Sequence, residues 1–161
     1  MMKTICTLVI LLMGSIASQA EEPLIVAHRG ASRDAPENTI PAFQLAWEQG
    51  ADAIEGDFHL SKDGEIVCFH DADTKKVAGT KLVVRKSTLA ELKKLDVGAS
   101  HGAAFKGTRI PTIAEVFATI PQGKKIFIEV KCGAEIIPTL LNEIDQSGLT
   151  KEQIVVISFN K

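Results

Sequence analysis

The stretch Ala53-Ile-Glu-Gly-Asp-Phe-His-Leu-Ser-Lys-Asp-Gly-Glu-Ile-Val-Cys-Phe-His-Asp71 decides how this chain folds. Read as a strand, its first half alternates faces, so Glu55, Asp57 and His59 share one side while Ile54, Phe58 and Leu60 take the other. Lys62-Asp63-Gly64 reads as a tight turn. A two-residue loop flanked by Ser61 and Gly64 predicts an antiparallel return that sets His70 opposite Glu55 and Cys68 opposite Asp57. A histidine and two carboxylates then crowd one small volume. Uncompensated carboxylates that close repel, and one is driven toward protonation, so keeping both ionised calls for a bound metal or a basic partner. Taken alone, the stretch is equally compatible with a hydrophilic face turned to water.

Working outward, residues 24–27 are apolar and end at His28-Arg29-Gly30, which predicts a buried strand delivering a histidine and an arginine to its C-terminal end. Residues 33–38 have loop composition. Asn38 or Thr39 can cap a helix over 38–49, with Ile40, Phe43, Ala46 and Trp47 at helical spacing and a stop at Gly50. This strand, helix, strand order favours a parallel α/β sheet or barrel. After Asp71 the period is lost. Residues 72–107, with a capping signature at Ser87-Thr88 and a glycine- and alanine-rich end, read as an excursion over the mouth of the fold. Pro111 and Thr112 open a second long helix with Ile113, Val116, Phe117 and Ile120 on one face. In the strand 125–131, Ile126, Ile128 and Val130 pack under helices while Phe127, Glu129 and Lys131 face the other way. On its own that last pair reads equally as an ordinary ion pair at a strand terminus. A helix over 134–146, irregular at Pro138, and a strand over 153–159 follow.

Composition narrows the function classes. Residues 1–20 carry a basic start, an apolar run and Ser18-Gln19-Ala20 ahead of Glu21-Glu22, the pattern of a cleaved export signal. The expectation is a periplasmic or secreted protein with no stable membrane anchor, since the run is short of the roughly 20 residues a span needs. The chain holds 18 basic and 20 acidic side chains, net −2, and loss of Lys3 would make it −3. That balance offers nucleic acid no basic footprint. Cys68 and Cys132 do not make a disulfide scaffold, and the absence of Cys-x-x-Cys or paired-histidine spacing argues against zinc.

Strand C-termini in parallel α/β folds meet at one face, where His28, Arg29, Glu55, Asp57, His70, Glu129 and Lys131 would all arrive. Three carboxylates without a thiolate suit a hard cation, Ca²⁺ or Mg²⁺. Arg29 and Lys131 can hold an anion beside it, and His28 and His70 can exchange protons with attacking and leaving oxygens. Acid-base catalysis alone supplies roughly 10² to 10⁴ in rate, about 3–5 kcal/mol, so cation, Arg29 and Lys131 must also stabilise developing charge. His59 and His101 have no such setting and receive no role.

These residues resemble the glycerophosphodiester phosphodiesterase family. The likeness lies in Ala27-His-Arg-Gly-Ala-Ser32, Ala35-Pro-Glu-Asn-Thr39, Gly50 to Gly64, Val67-Cys-Phe-His-Asp71, Ile110-Pro-Thr-Ile-Ala-Glu-Val116 and Ile128-Glu-Val-Lys131. It implies an α/β fold, a TIM (β/α)₈ barrel with a small insertion after a hairpin, here incomplete: residues 21–161 would form part of the domain and 72–107 the insertion. It also implies metal ligation by Glu55, Asp57 and Glu129, acid-base catalysis by His28 and His70, and phosphate contacts from Arg29 and Lys131. The implied reaction is hydrolysis of a small-molecule glycerophosphodiester to sn-glycerol 3-phosphate and an alcohol. A related phospholipase, a cyclising phosphodiester lyase and a non-catalytic glycerophosphate-binding module are the alternatives. Gly56, where many relatives carry a bulkier residue, should loosen packing on the outer face. A barrel of this type takes about 200 residues or more, so the N-terminal portion of a larger enzyme is expected.

Overall fold

The computed structural model describes residues 22–159, and the expected export signal lies outside them. In chain order the elements are β1 (Val26–His28), α1 (Ile40–Glu48), β2 (Ala53–Leu60), β3 (Ile66–Cys68), α2 (Lys75–Ala78), α3 (Leu89–Leu92), α4 (Ile113–Phe117), β4 (Lys125–Val130), α5 (Ile137–Gln146) and β5 (Ile154–Ile157). One sheet collects all the strands. β1, β2, β4 and β5 lie side by side in that order and run parallel, while β3 returns antiparallel along β2. Parallel neighbours joined through helices are an arc of a (β/α)₈ barrel, and the arc is not closed.

Alternation on β2 and β4 builds the core. Ile54 and Phe58 of β2, with Ile126 and Ile128 of β4, are fully buried and pack with Phe43 of α1, Ile113 and Val116 of α4 and Leu140 of α5. Burying each such side chain contributes about 1.5–3 kcal/mol. Local signals agree with this packing. The Thr39 hydroxyl caps α1 by accepting from the Ala42 amide, Pro41 sits in its first turn, and Thr88 and Thr112 close capping boxes with Glu91 and Glu115. Gly30, at φ +78, lets the chain leaving β1 pass so close to α1 that a Cβ there would lie 2.7 Å from the Ala42 carbonyl carbon.

Residues 72–107 carry short helices and turns over a second apolar cluster. Val84, Leu92 and Val97 pack there with Val67 and Phe69 from the hairpin and with Ile110. Asp96 fixes the far end of this segment by accepting from the amides of Gly98, Ala99 and Gly107.

Four expectations are corrected. The hairpin register is one residue away from the expected one: Cys68 pairs with Phe58 and Val67 with His59, so Cys68 is not opposite Asp57 and His70 is not opposite Glu55. Ser61 bonds to Glu65 across a three-residue loop whose last residue, Gly64, takes φ +86, and the extra residue shifts every pair. The first strand is not buried. Leu24, Ile25 and Val26 are 53, 64 and 39% exposed, because β1 has β2 as its one neighbour among the described residues. The second long helix shrinks to α4, after which Thr119 and Ile120 turn tightly ahead of Pro121, which disfavours helical backbone before it. Gly56 does not loosen the outer face: a Cβ there would meet Cys68 Sγ and Phe58 at 3.2 Å and Phe43 at 3.3 Å, so its neighbours already fill the space.

Candidate active site

The loop between β1 and α1 closes on itself and onto β2 through backbone that side chains seldom tolerate. Arg29 and Asn38 are the two non-glycine residues with positive φ among the described residues, both at 58°. The Asn38 amide donates to the Arg29 carbonyl at 3.0 Å, and the Arg29 amide donates to Glu55 Oε2 at 3.0 Å. Such conformations cost of order 1–3 kcal/mol each and persist where the surroundings enforce them.

Register then assembles the carboxylates. Asp57 pairs with Glu129 across β2 and β4, Glu55 lies two residues back on the same face, and ligand atoms of all three lie within 4.8 Å of one another. Glu55 and Asp57 are buried. Burial first, and the charge of Asp57 second, push Glu55 up to about 7, outweighing the Arg29 amide bond. The compensating cations are close but incomplete. Lys131 Nζ lies 2.7 Å from Glu129 Oε1 and 3.5 Å from Asp57 Oδ1, while Arg29 Nε lies 3.1 Å from Asp57 Oδ2. Arg29 Nη1 donates to both Glu37 oxygens at 3.1 Å. Against the pull of its own partial burial, the bond to Glu129 and the charge of Asp57 hold the Lys131 ammonium above its ordinary range. Glu55 Oε1 and Asp57 Oδ1 are buried without a hydrogen-bond partner. Buried carboxylate oxygens are normally satisfied, and two unsatisfied ones in an all-oxygen trio fit a hard divalent cation.

The histidines divide. His28 Nε2 stands 3.8 Å from Glu55 Oε2 and its side chain is 66% exposed, at the rim of the trio. The His70 ring contacts Asp71, Nδ1 to Oδ1 at 2.7 Å, and among the described residues it makes no ion-pair contact with the trio. Its main chain is held from below: His59 Nε2 lies 3.1 Å from the His70 carbonyl. Burial lowers the His59 pKa despite that contact, so the ring is neutral and carries its proton on Nε2. A role for His59 was not expected, and the strand alternation that put it beside Asp57 was the available signal. The sequence pattern places Asn38 in a loop or at a helix cap, whereas its side chain bonds Asp57: Nδ2 donates to Oδ2 at 2.8 Å and Oδ1 accepts from the Asp57 amide at 3.1 Å. Cys68 Sγ donates to the same Oδ1 at 3.2 Å, and burial, with the Asp57 and Glu55 charges, keeps it a thiol. Neither Cys68 nor Cys132 is disulfide-bonded.

Beside Lys131 opens a cavity of about 460 Å³ lined by His59, Ser61, Ala72, Arg85, Lys131 and Glu135. Its wall thus joins the sheet to the 72–107 segment.

Fold and site define a class: a parallel (β/α) barrel arc with a carboxylate trio able to hold a cation at the strand ends. A model of the glycerophosphoryl diester phosphodiesterase family matches residues 28–157, and the chain belongs to that family. A glycerophosphodiester phosphodiesterase of Caldanaerobacter subterraneus is 43% identical over 144 residues, covering 85% of this chain and 58% of the relative. A solved Oleispira antarctica phosphodiesterase, in complex with the product sn-glycerol-3-phosphate, superposes with a TM-score of 0.81 at 36% identity, covering 86% of this chain and 58% of that one. A glycerophosphodiester phosphodiesterase of Thermotoga maritima gives 0.70, also at 36% identity, over 88% and 56%. The chain therefore spans less than two thirds of the length of these relatives.

Proposed function

We propose that the protein is a metal-dependent phosphodiester hydrolase that cleaves glycerophosphodiesters to sn-glycerol 3-phosphate and an alcohol. The observation that carries this reading is the convergence of Glu55, Asp57 and Glu129, two of whose buried oxygens make no hydrogen bond, flanked by Arg29 and Lys131. Glu55, Asp57 and Glu129 would hold Ca²⁺ or Mg²⁺. When bound, the cation neutralises phosphate charge and polarises the phosphorus centre.

The remaining work falls to the chain's own groups. Arg29, oriented by Glu37 and Asp57, and Lys131, oriented by Glu129, bind the phosphate oxygens. His28, exposed at the rim, takes the proton of the attacking hydroxyl, either water or the glycerol 2-hydroxyl through a cyclic phosphate. His70 gives a proton to the leaving alcohol oxygen. Asp71 at Nδ1 fixes the ring and leaves Nε2 as the donor, while His59 fixes its main chain. The cavity beside Lys131 has room for the departing alcohol.

The sequence of residues 1–20 supports export to the periplasm or medium, which N-terminal sequencing of secreted protein tests. No helix among the described residues is long and apolar enough to cross a membrane.

The deciding assay is release of sn-glycerol 3-phosphate from glycerophosphocholine with Ca²⁺ or Mg²⁺ and with chelator. Turnover that chelation abolishes and either cation restores is expected. Turnover indifferent to chelation would remove the metal from the reading, and headgroup binding without turnover would favour a binding module.

A further inference from the structure

The side chain of Asn38 does a task that its position in the loop does not require. Thr39, one residue on, caps α1, and the three side-chain hydrogen bonds of Asn38 go to Asp57 and Cys68, with none to the helix. The residue is 2% exposed and held at φ 58°, a conformation asparagine tolerates better than most side chains. The amide orientation is determined chemically: the Asp57 main-chain N–H can only donate, so Oδ1 faces it, and Nδ2 faces the carboxylate oxygen.

Resting on the reading of Glu55, Asp57 and Glu129 as a cation site, we propose that Asn38 is the positioning residue of that site. Its carboxamide grips Asp57 at both the main-chain nitrogen and Oδ2, which fixes the plane of the carboxylate and leaves Oδ1 without a hydrogen bond, available to the ion. The Cys68 thiol, donating to Asn38 Oδ1, holds the amide against rotation. Through its own main-chain bond to Arg29, whose amide holds Glu55, Asn38 couples two ligands of the trio to one loop. Partners of metal ligands typically contribute about 10- to 100-fold in metal affinity, far more than a lone hydrogen bond at a loop would alter a site it does not touch.

The test is calorimetric titration of the full chain with CaCl₂ and with MgCl₂, alongside Asn38→Gly. Glycine accepts the positive φ and removes only the amide, so backbone strain does not confound the result. The expected outcome is cation affinity weakened about 10- to 100-fold, with an unchanged circular dichroism spectrum in chelator. Unchanged affinity in Asn38→Gly overturns the proposal, including when its urea midpoint falls, since that pattern is a purely structural role. Absence of cation binding by the unsubstituted chain overturns instead the cation-site reading on which the proposal stands. Should Asn38→Gly lose its native spectrum, Asn38→Ser replaces it: its hydroxyl cannot span both atoms of Asp57, and the same two readings apply.

Discussion

The two faces of β2 are equally hidden from solvent and chemically opposed. Toward the helices, Ile54, Gly56 and Phe58 are fitted against Phe43 and Cys68 with no spare room. On the other face, Glu55, Asp57 and His59 are also buried, yet two carboxylate oxygens lack hydrogen-bond partners and one carboxyl is pushed up to about 7. One strand thus separates the residues that hold the molecule together from those that leave it unsatisfied, with a single residue between them. Unsatisfied buried charge lowers stability unless something outside the chain completes it, and that is the mark of a binding face.

Substitutions on either face can break this division. His70→Ala should lower phosphodiester turnover by roughly 10² to 10⁴, about 3–5 kcal/mol, while leaving the urea midpoint close to that of the parent. Parental turnover would remove His70 from the chemistry. Phe58→Ala should do the reverse, costing about 3–5 kcal/mol of stability in urea unfolding with cation affinity preserved in the folded protein. A comparable loss of affinity would mean that the faces are not separable.

The acidity of Glu55 gives a third test. Its folded value near 7 exceeds its ordinary 4.5, so the folded chain keeps a proton that the unfolded chain has already released. In chelator this group's contribution is fully present below pH 4.5 and is lost as pH rises to about 7, a decline of about 3 kcal/mol. Urea midpoints across that range should fall for the parent and flatten for Glu55→Gln. The smallest effect belongs to Gly56→Val, which overfills the gap between Phe43, Phe58 and Cys68 and should cost about 1–3 kcal/mol. A stabilised variant would show that the outer face has room after all.

Much of this was legible beforehand because alternation along a strand is strict. It put Glu55, Asp57 and His59 together, separated Glu129 from Ile128, and the order of elements gave the parallel sheet. The hairpin pairing was not legible: Lys62-Asp63-Gly64 suits a two- or a three-residue loop, and one residue of loop length shifts the whole ladder. Asn38 was hidden for a different reason. Its partner lies 19 residues away on β2, and a polar residue ahead of a helix is read first as a cap. The exposed outer edge of β1 is not legible in the sequence because apolar composition signals a strand without counting its neighbours.

The Arg29 guanidinium, gripped by Glu37 on one side and lying against Asp57 on the other, carries one further consequence. A free arginine surrenders about 0.5–1.5 kcal/mol of rotamer freedom when a ligand immobilises it. Here that loss is incurred when the loop folds, before any anion arrives. On the proposed reading of Arg29 as a phosphate contact, the clamp is set in advance, and an incoming oxyanion would meet a donor that need not be recruited from solution.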